Sequence, residues 1–239
     1  MTDTITLGEL TVSVDRKAIK NIHLSVYPPD GRVHISAPER FSLDALRVYA
    51  VGRLDWIKRQ QRELAVQARE SLREYIDRES HYFAGQRYLL RVREVEGVRP
   101  SVDCAVRELI MTVPPGFDTV RRRALLNNFY RAYLKREVPQ IIARYAPRMG
   151  ITVNDFRIRH MKTKWGSCNI AARRLWLNVE LARKPPECLE YLVVHEMVHL
   201  LERQHNTRFA QHMDRFLPGW PSLRDLLNRL PVVHVDWDY

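Results

Sequence analysis

Apolar and polar residues alternate through much of the first third of the chain. Leu10-Thr11-Val12-Ser13-Val14, residues 22–27 and residues 32–37 each place every second side chain on one face, the period of a half-buried strand. Pro28-Pro29-Asp30-Gly31 predicts a turn that joins the last two strands as a hairpin. Ser42 is placed to cap a helix beginning at residue 43. Residues 55–77 are charged with few breakers and predict one long helix. Further strands are expected at 88–92, 101–107 and 108–113. Pro114-Pro115-Gly116 then reads as a domain boundary.

Beyond that point the period changes. Asp118 or Thr119 opens a helix over 120–146, whose apolar stripe includes Leu126, Tyr130, Leu134 and Ile141. Pro139 is expected to kink or break it. Residues 156–161 and 174–181 alternate and predict a β-hairpin interrupted at Gly166-Ser167. Pro185-Pro186 opens a helix rich in apolar residues, which should end near Arg203 and turn back. Asn206 or Thr207 then caps a helix over 208–216, and a short helix over 223–230 comes after it. The fold class expected is α+β, with a β-rich α/β module at 1–116 and a second domain at 117–239.

The chemistry is concentrated in Val194-His195-Glu196-Met197-Val198-His199-Leu200. Four residues of α-helix turn about 400°, so His195 and His199 leave the same face one turn apart. Two imidazoles so placed can grip one tetrahedral metal. Glu196 lies about 100° round the helix, placed to hold a water rather than the metal. A catalytic zinc usually takes three protein ligands. His205 is the candidate third ligand, which requires the chain to turn back after the helix; Asp214 is the acidic alternative. The apolar surroundings argue against an accident, since buried charges are costly unless paired or metal-bound. Cys168 reads as a structural thiol. His212 and His234 carry no assignment.

The string from His195 to His199 with His205, preceded by Lys162-Thr163-Lys164-Trp165-Gly166-Ser167-Cys168, resembles the YgjP-like metallopeptidases, relatives of the SprT-like zinc proteases. Asn206-Thr207-Arg208-Phe209 and Phe216-Leu217-Pro218-Gly219-Trp220 resemble that family's ending. The resemblance implies a zincin-like domain, Zn²⁺ held by His195, His199 and His205, and Glu196 as catalytic base. Residues 162–168 are the candidate sheet edge on which a protein or peptide substrate would lie, with Trp165, Gly166 and Ser167 as its contacts. The metzincin pattern fits worse, because Glu202 stands where that pattern has glycine. The alternative function is a non-catalytic, zinc-containing module associated with DNA.

Composition adds limits. Three cysteines without pattern fit a reducing compartment better than a disulfide framework. No signal peptide or membrane-length apolar run is visible, so a cytoplasmic protein without a membrane partner is expected. The net charge of +11 points to acidic partners and makes nucleic acid a candidate. Much of that charge alternates with acids on helical faces, as in Arg59-Gln60-Gln61-Arg62-Glu63, which is how a solvated face looks.

Overall fold

The computed structural model of the chain describes residues 2–27, 31–66, 73–161 and 164–230. The chain divides into two compact units, Met1–Ala68 and Arg69–Tyr239. No described helix is long and apolar enough to cross a membrane.

The first unit is a four-stranded sheet with two helices. Strands β1 (Thr2–Leu7), β2 (Leu10–Arg16), β3 (His23–Tyr27) and β4 (Arg32–Ala37) take the order β1-β2-β4-β3. β1–β2 and β3–β4 are antiparallel, and β2–β4 is parallel. The alternation works as expected: Val12, Val14, Val33 and Ile35 are buried on one face. They pack with Leu46 and Ala50 of α1 (Leu43–Val51) and Ile57 of α2 (Leu54–Val66). Ser42 Oγ accepts from the Ala45 amide at 3.2 Å, the predicted cap. The 28–30 part of the predicted turn lies outside the described residues. The single long helix over 55–77 does not form: α2 ends at Val66, and buried Tyr75 has φ 59°, outside the helical range.

The second unit starts with the same topology. Strands β5 (Ser80–Phe83), β6 (Gln86–Glu94), β7 (Ser101–Ala105) and β8 (Glu108–Val113) take the order β5-β6-β8-β7, with β6–β8 parallel and the flanking pairs antiparallel. The repeat extends into the link beyond the last strand. Ala37-Pro38-Glu39-Arg40-Phe41-Ser42 leads into α1, and Val113-Pro114-Pro115-Gly116-Phe117-Asp118 leads into α3 (Thr119–Met149). Asp118 caps α3 as Ser42 caps α1, accepting from the Arg121 amide at 2.8 Å. Residues 114–116 are therefore a strand-to-helix link inside one unit. The division falls at 68/69 rather than at the expected 116. Two observations give the reason. Leu90, Leu109, Met111 and Val113 share one core with α3 and the helices beyond it. The β5–β6 turn is also tied to residues 182–183, through Ala84 N–H to Ala182 O (2.9 Å) and Gly85 N–H to Arg183 O (3.2 Å).

α3 runs unbroken through Pro139 and Pro147. An interior proline costs about 3 kcal/mol. Leu126, Tyr130, Leu134, Val138, Ile141, Tyr145 and Met149 are all buried along α3. Each large apolar side chain buried contributes about 1.5–3 kcal/mol, so packing outweighs the local penalty.

The remaining sheet corrects the expected hairpin. Strands β9 (Asp155–Arg159), β10 (Gly166–Asn169) and β11 (Arg174–Asn178) take the order β10-β11-β9. β9 runs parallel to β11, so the antiparallel hairpin is β10–β11. Residues 179–183 form a 3-10 helix, not the end of a strand. Then come α4 (Pro186–Val198), α5 (Thr207–Phe216) and α6 (Trp220–Arg229). α6 begins three residues before the expected start.

Candidate metal centre

Helix α4 is the middle of the second core. Cys188, Leu189, Tyr191, Leu192, Val193, Val194, Met197 and Val198 are buried, leaving little polar face. A helix apolar all round is one enclosed by neighbours. α4 is packed by α3, α5, α6, β10 and β11. Pro186 sits in its first turn, where a missing N–H costs nothing. It ends at Val198, with His199 as its C-cap. The chain turns back through residues 200–206, and Asn206 Oδ1 accepts from the Phe209 amide at 3.0 Å to start α5. This reversal returns His205 to the helix that carries His195 and His199.

Ring nitrogens of His195, His199 and His205 all lie within 4.8 Å of one another. His205 Nε2 is 3.0 Å from His195 Nε2, and two lone pairs so close require a proton or a cation between them. In its Nδ1–H tautomer His199 donates to the Glu202 carbonyl at 3.3 Å, leaving Nε2 free to bind. Burial, with His199 and His205 as positive neighbours, pulls the His195 pKa down to about 3. Burial lowers that of His199 too. At neutral pH both offer lone pairs, as a metal requires. Phe209 of α5 lies under all three rings, at centroid distances of 4.9, 4.9 and 4.7 Å. It is 3% exposed and holds the imidazoles against one apolar surface.

Glu196 comes directly after His195. It is 4% exposed, and its Oε2 is buried without a hydrogen-bond partner among the described residues. Burial pushes its carboxyl up to about 8, while Lys164 pulls the other way. A nearby dication would favour the charged form. The other flank of this carboxyl is backbone. A Cβ built on Gly166 would lie 2.8 Å from Glu196 Oε1 and 3.0 Å from its Cγ. Gly166 is thus placed where only glycine leaves room for the glutamate.

A cavity of about 500 Å³ joins these parts. Its lining includes Lys164, Trp165, Gly166, Ser167 and Cys168 on one side and the three histidines with Glu196 on the other. β10 is the edge of its sheet, so its outer backbone groups have no strand neighbour among the described residues. Lys162 and Thr163, the start of the expected substrate edge, lie outside the described residues. Asn178 anchors the chain on either side of that pair. Its side-chain amide donates to Met161 O (2.8 Å) and Lys164 O (3.0 Å), and its backbone N–H to Trp165 O (2.9 Å).

Other candidates fall away from the centre. Asp214 is exposed and accepts from Trp220 Nε1 at 2.8 Å; it is not among the clustered ligands. His212 stacks on Phe216. His234 lies outside the described residues. Burial, with Glu196 nearby, pushes the Cys168 thiol up to about 11, so it is a neutral thiol rather than a nucleophile. Sequence reasoning missed Phe209, Asn178 and Tyr191. Tyr191 stands one turn before His195, 5.7 Å from its ring, and that spacing was the available signal.

No curated protein matches the chain. Among solved structures, the metallopeptidase zymogen of Pyrococcus abyssi abylysin is 19% identical, covering 40% of this chain and 99% of that one. Its TM-score of 0.36 is too loose a likeness to define this fold. The model of the YgjP-like metallopeptidase domain matches residues 20–230, nearly the whole chain and all of the centre described above. The chain belongs to the YgjP-like metallopeptidase family.

Proposed function

We propose that the protein hydrolyses peptide bonds of protein substrates with zinc held by His195, His199 and His205 and with Glu196 as general base. The observation that carries this reading is the buried carboxyl of Glu196, one oxygen unpartnered, beside three clustered imidazoles in one cavity. The donor set fits the metal: three imidazole nitrogens and room for a fourth ligand make an open zinc site. When bound, zinc supplies Lewis-acid polarisation to a water and to the scissile carbonyl. Glu196 takes the proton from the attacking water and hands it to the leaving amine. An extended substrate would pair with the free edge of β10, with Trp165, Gly166 and Ser167 beside it. A sheet edge next to the HExxH helix is the arrangement of a zincin-like domain.

Elemental analysis of the purified chain tests the metal. One zinc per chain is expected. His205→Ala should lose it readily, and Asp214→Asn should keep it. Failure to take up zinc from a buffered solution would end this reading; loss through Asp214→Asn instead would move the third ligand to the carboxylate.

A further inference from the structure

The cavity beside Glu196 holds more positive charge than hydrolysis requires. Lys164 precedes β10, Arg203 lies in the turn after α4, and Arg224 is on α6; all three are exposed and line the cavity. Among the described residues that line the cavity, Glu196 is the only carboxylate. The cations come from three separate elements, so their convergence is not the periodic charge of one solvated helix. Arg224 is held in place. Its guanidinium lies 5.3 Å over the Trp220 ring and 3.0 Å from Asp225, which is exposed and outside the lining. Trp220 in turn stacks on Tyr191 of the cavity wall at 6.5 Å.

A cleft with cations on its rim and a low-dielectric floor focuses positive potential on whatever enters it. Lysine or arginine beside the scissile bond would meet like charge, whereas a carboxylate would gain charge-assisted hydrogen bonds. We propose that the cleft selects peptides with a carboxylate next to the scissile bond, read by Lys164, Arg203 and Arg224. The carboxylate is an aspartate or glutamate side chain or a free C-terminus. This selection rests on the peptidase reading above.

The test uses the zinc-loaded full chain and matched peptides. Glutamate is exchanged for glutamine at each position flanking the bond, and the C-terminal acid is exchanged for its amide. The acid should be favoured in kcat/KM by about tenfold, the scale of a charge-assisted hydrogen bond. The preference should shrink with added salt. The position that shows it tells a side chain from a chain terminus. Lys164→Gln, Arg203→Gln and Arg224→Gln should each lower the acid-to-amide ratio, and together bring it near one. Arg224→Lys should restore part of it. A ratio of one in the wild type overturns the proposal. So does a preference that survives the combined variant, since the carboxylate would then be read elsewhere. If no peptide is cleaved, the peptidase reading fails separately. Calorimetry with zinc-loaded Glu196→Gln then decides the selection: tighter binding of the acidic peptide supports it, and equal affinity overturns it.

Discussion

Gly166→Ala probes the contact between the β10 edge and helix α4, where the proposed base sits. The added Cβ would lie 2.8 Å from Glu196 Oε1, 3.0 Å from Cγ and 3.1 Å from Cδ. Ordinary contact begins near 3.4 Å, so strand and carboxyl must part by about 0.6 Å. The contacts are side-chain atoms of a glutamate that lines the cavity, whereas the strand is held by its ladder to β11. The carboxyl is therefore the part that moves. Misplacing a catalytic group by about 1 Å can cost on the order of 10²-fold in rate. A shift of this size should lower kcat by roughly 10–10²-fold. The three atoms nearest the new methyl group all belong to Glu196, so zinc content should stay at one per chain. Steady-state cleavage of a fluorogenic peptide, with elemental analysis of the same sample, reads both. Activity within twofold of wild type would show that Glu196 does not depend on this contact. Loss of zinc alongside activity would show that the substitution disturbs the metal site and not only the base.

Three further variants test the frame around the site. Gly85 has φ 77°, and a Cβ there would lie 2.9 Å from Pro185 Cα at the head of α4. Gly85→Ala should cost about 2–5 kcal/mol and lower the melting temperature clearly. Gly97 has φ 67° with nothing within 4 Å, so Gly97→Ala should cost only about 1 kcal/mol; equal effects would mean the Pro185 contact contributes nothing. His81 is fully buried, with Glu79 Oε2 2.8 Å from its Nε2. Burial, with Arg183 and Arg73 adding to it, lowers its pKa to about 4, against the pull of Glu79. The unfolded chain protonates this histidine near pH 6.5 while the fold refuses the proton. Its contribution is thus complete above pH 6.5 and declines by up to ~1.4 kcal/mol per pH unit as pH falls toward 4. Thermal melts at pH 7 and pH 5 should show a steeper loss for wild type than for His81→Gln; parallel losses would contradict the assignment.

What was legible in the sequence was local. The helix through His195 and His199, its proline start, the reversal after it and the Asn206 cap all come from spacing within a few residues. The caps Ser42 and Asp118 were readable for the same reason. Long-range pairing was not. Alternation at 156–161 and 174–181 marks two strands but does not say that they run parallel with β10 outside them, or that the second stops at Asn178. Pro139 is a breaker by local rules, and the buried face of α3 overrides it. Pro114-Pro115-Gly116 resembles a linker until its repeat of residues 38–42 is set beside it, a likeness at a distance that a pass along the chain does not show. Within the site, the cluster of three histidines was readable because histidine spacing is a strong signal. Phe209 and Asn178 were not, because an aromatic near a cap and an asparagine at a strand end are common in any fold.

The central claim turns on Glu196. Glu196→Gln keeps the size and a hydrogen-bonding group but cannot accept a proton at neutral pH. The measurement is peptide hydrolysis by purified wild type and variant, with zinc content and melting temperature taken on the same preparations, beside His195→Ala. Glu196→Gln should keep its zinc and its stability while hydrolysis falls by ~10²–10⁴-fold. His195→Ala should lose metal, activity and some stability together. Full hydrolysis by Glu196→Gln, or loss of its zinc as readily as from His195→Ala, would contradict the role of Glu196 as base.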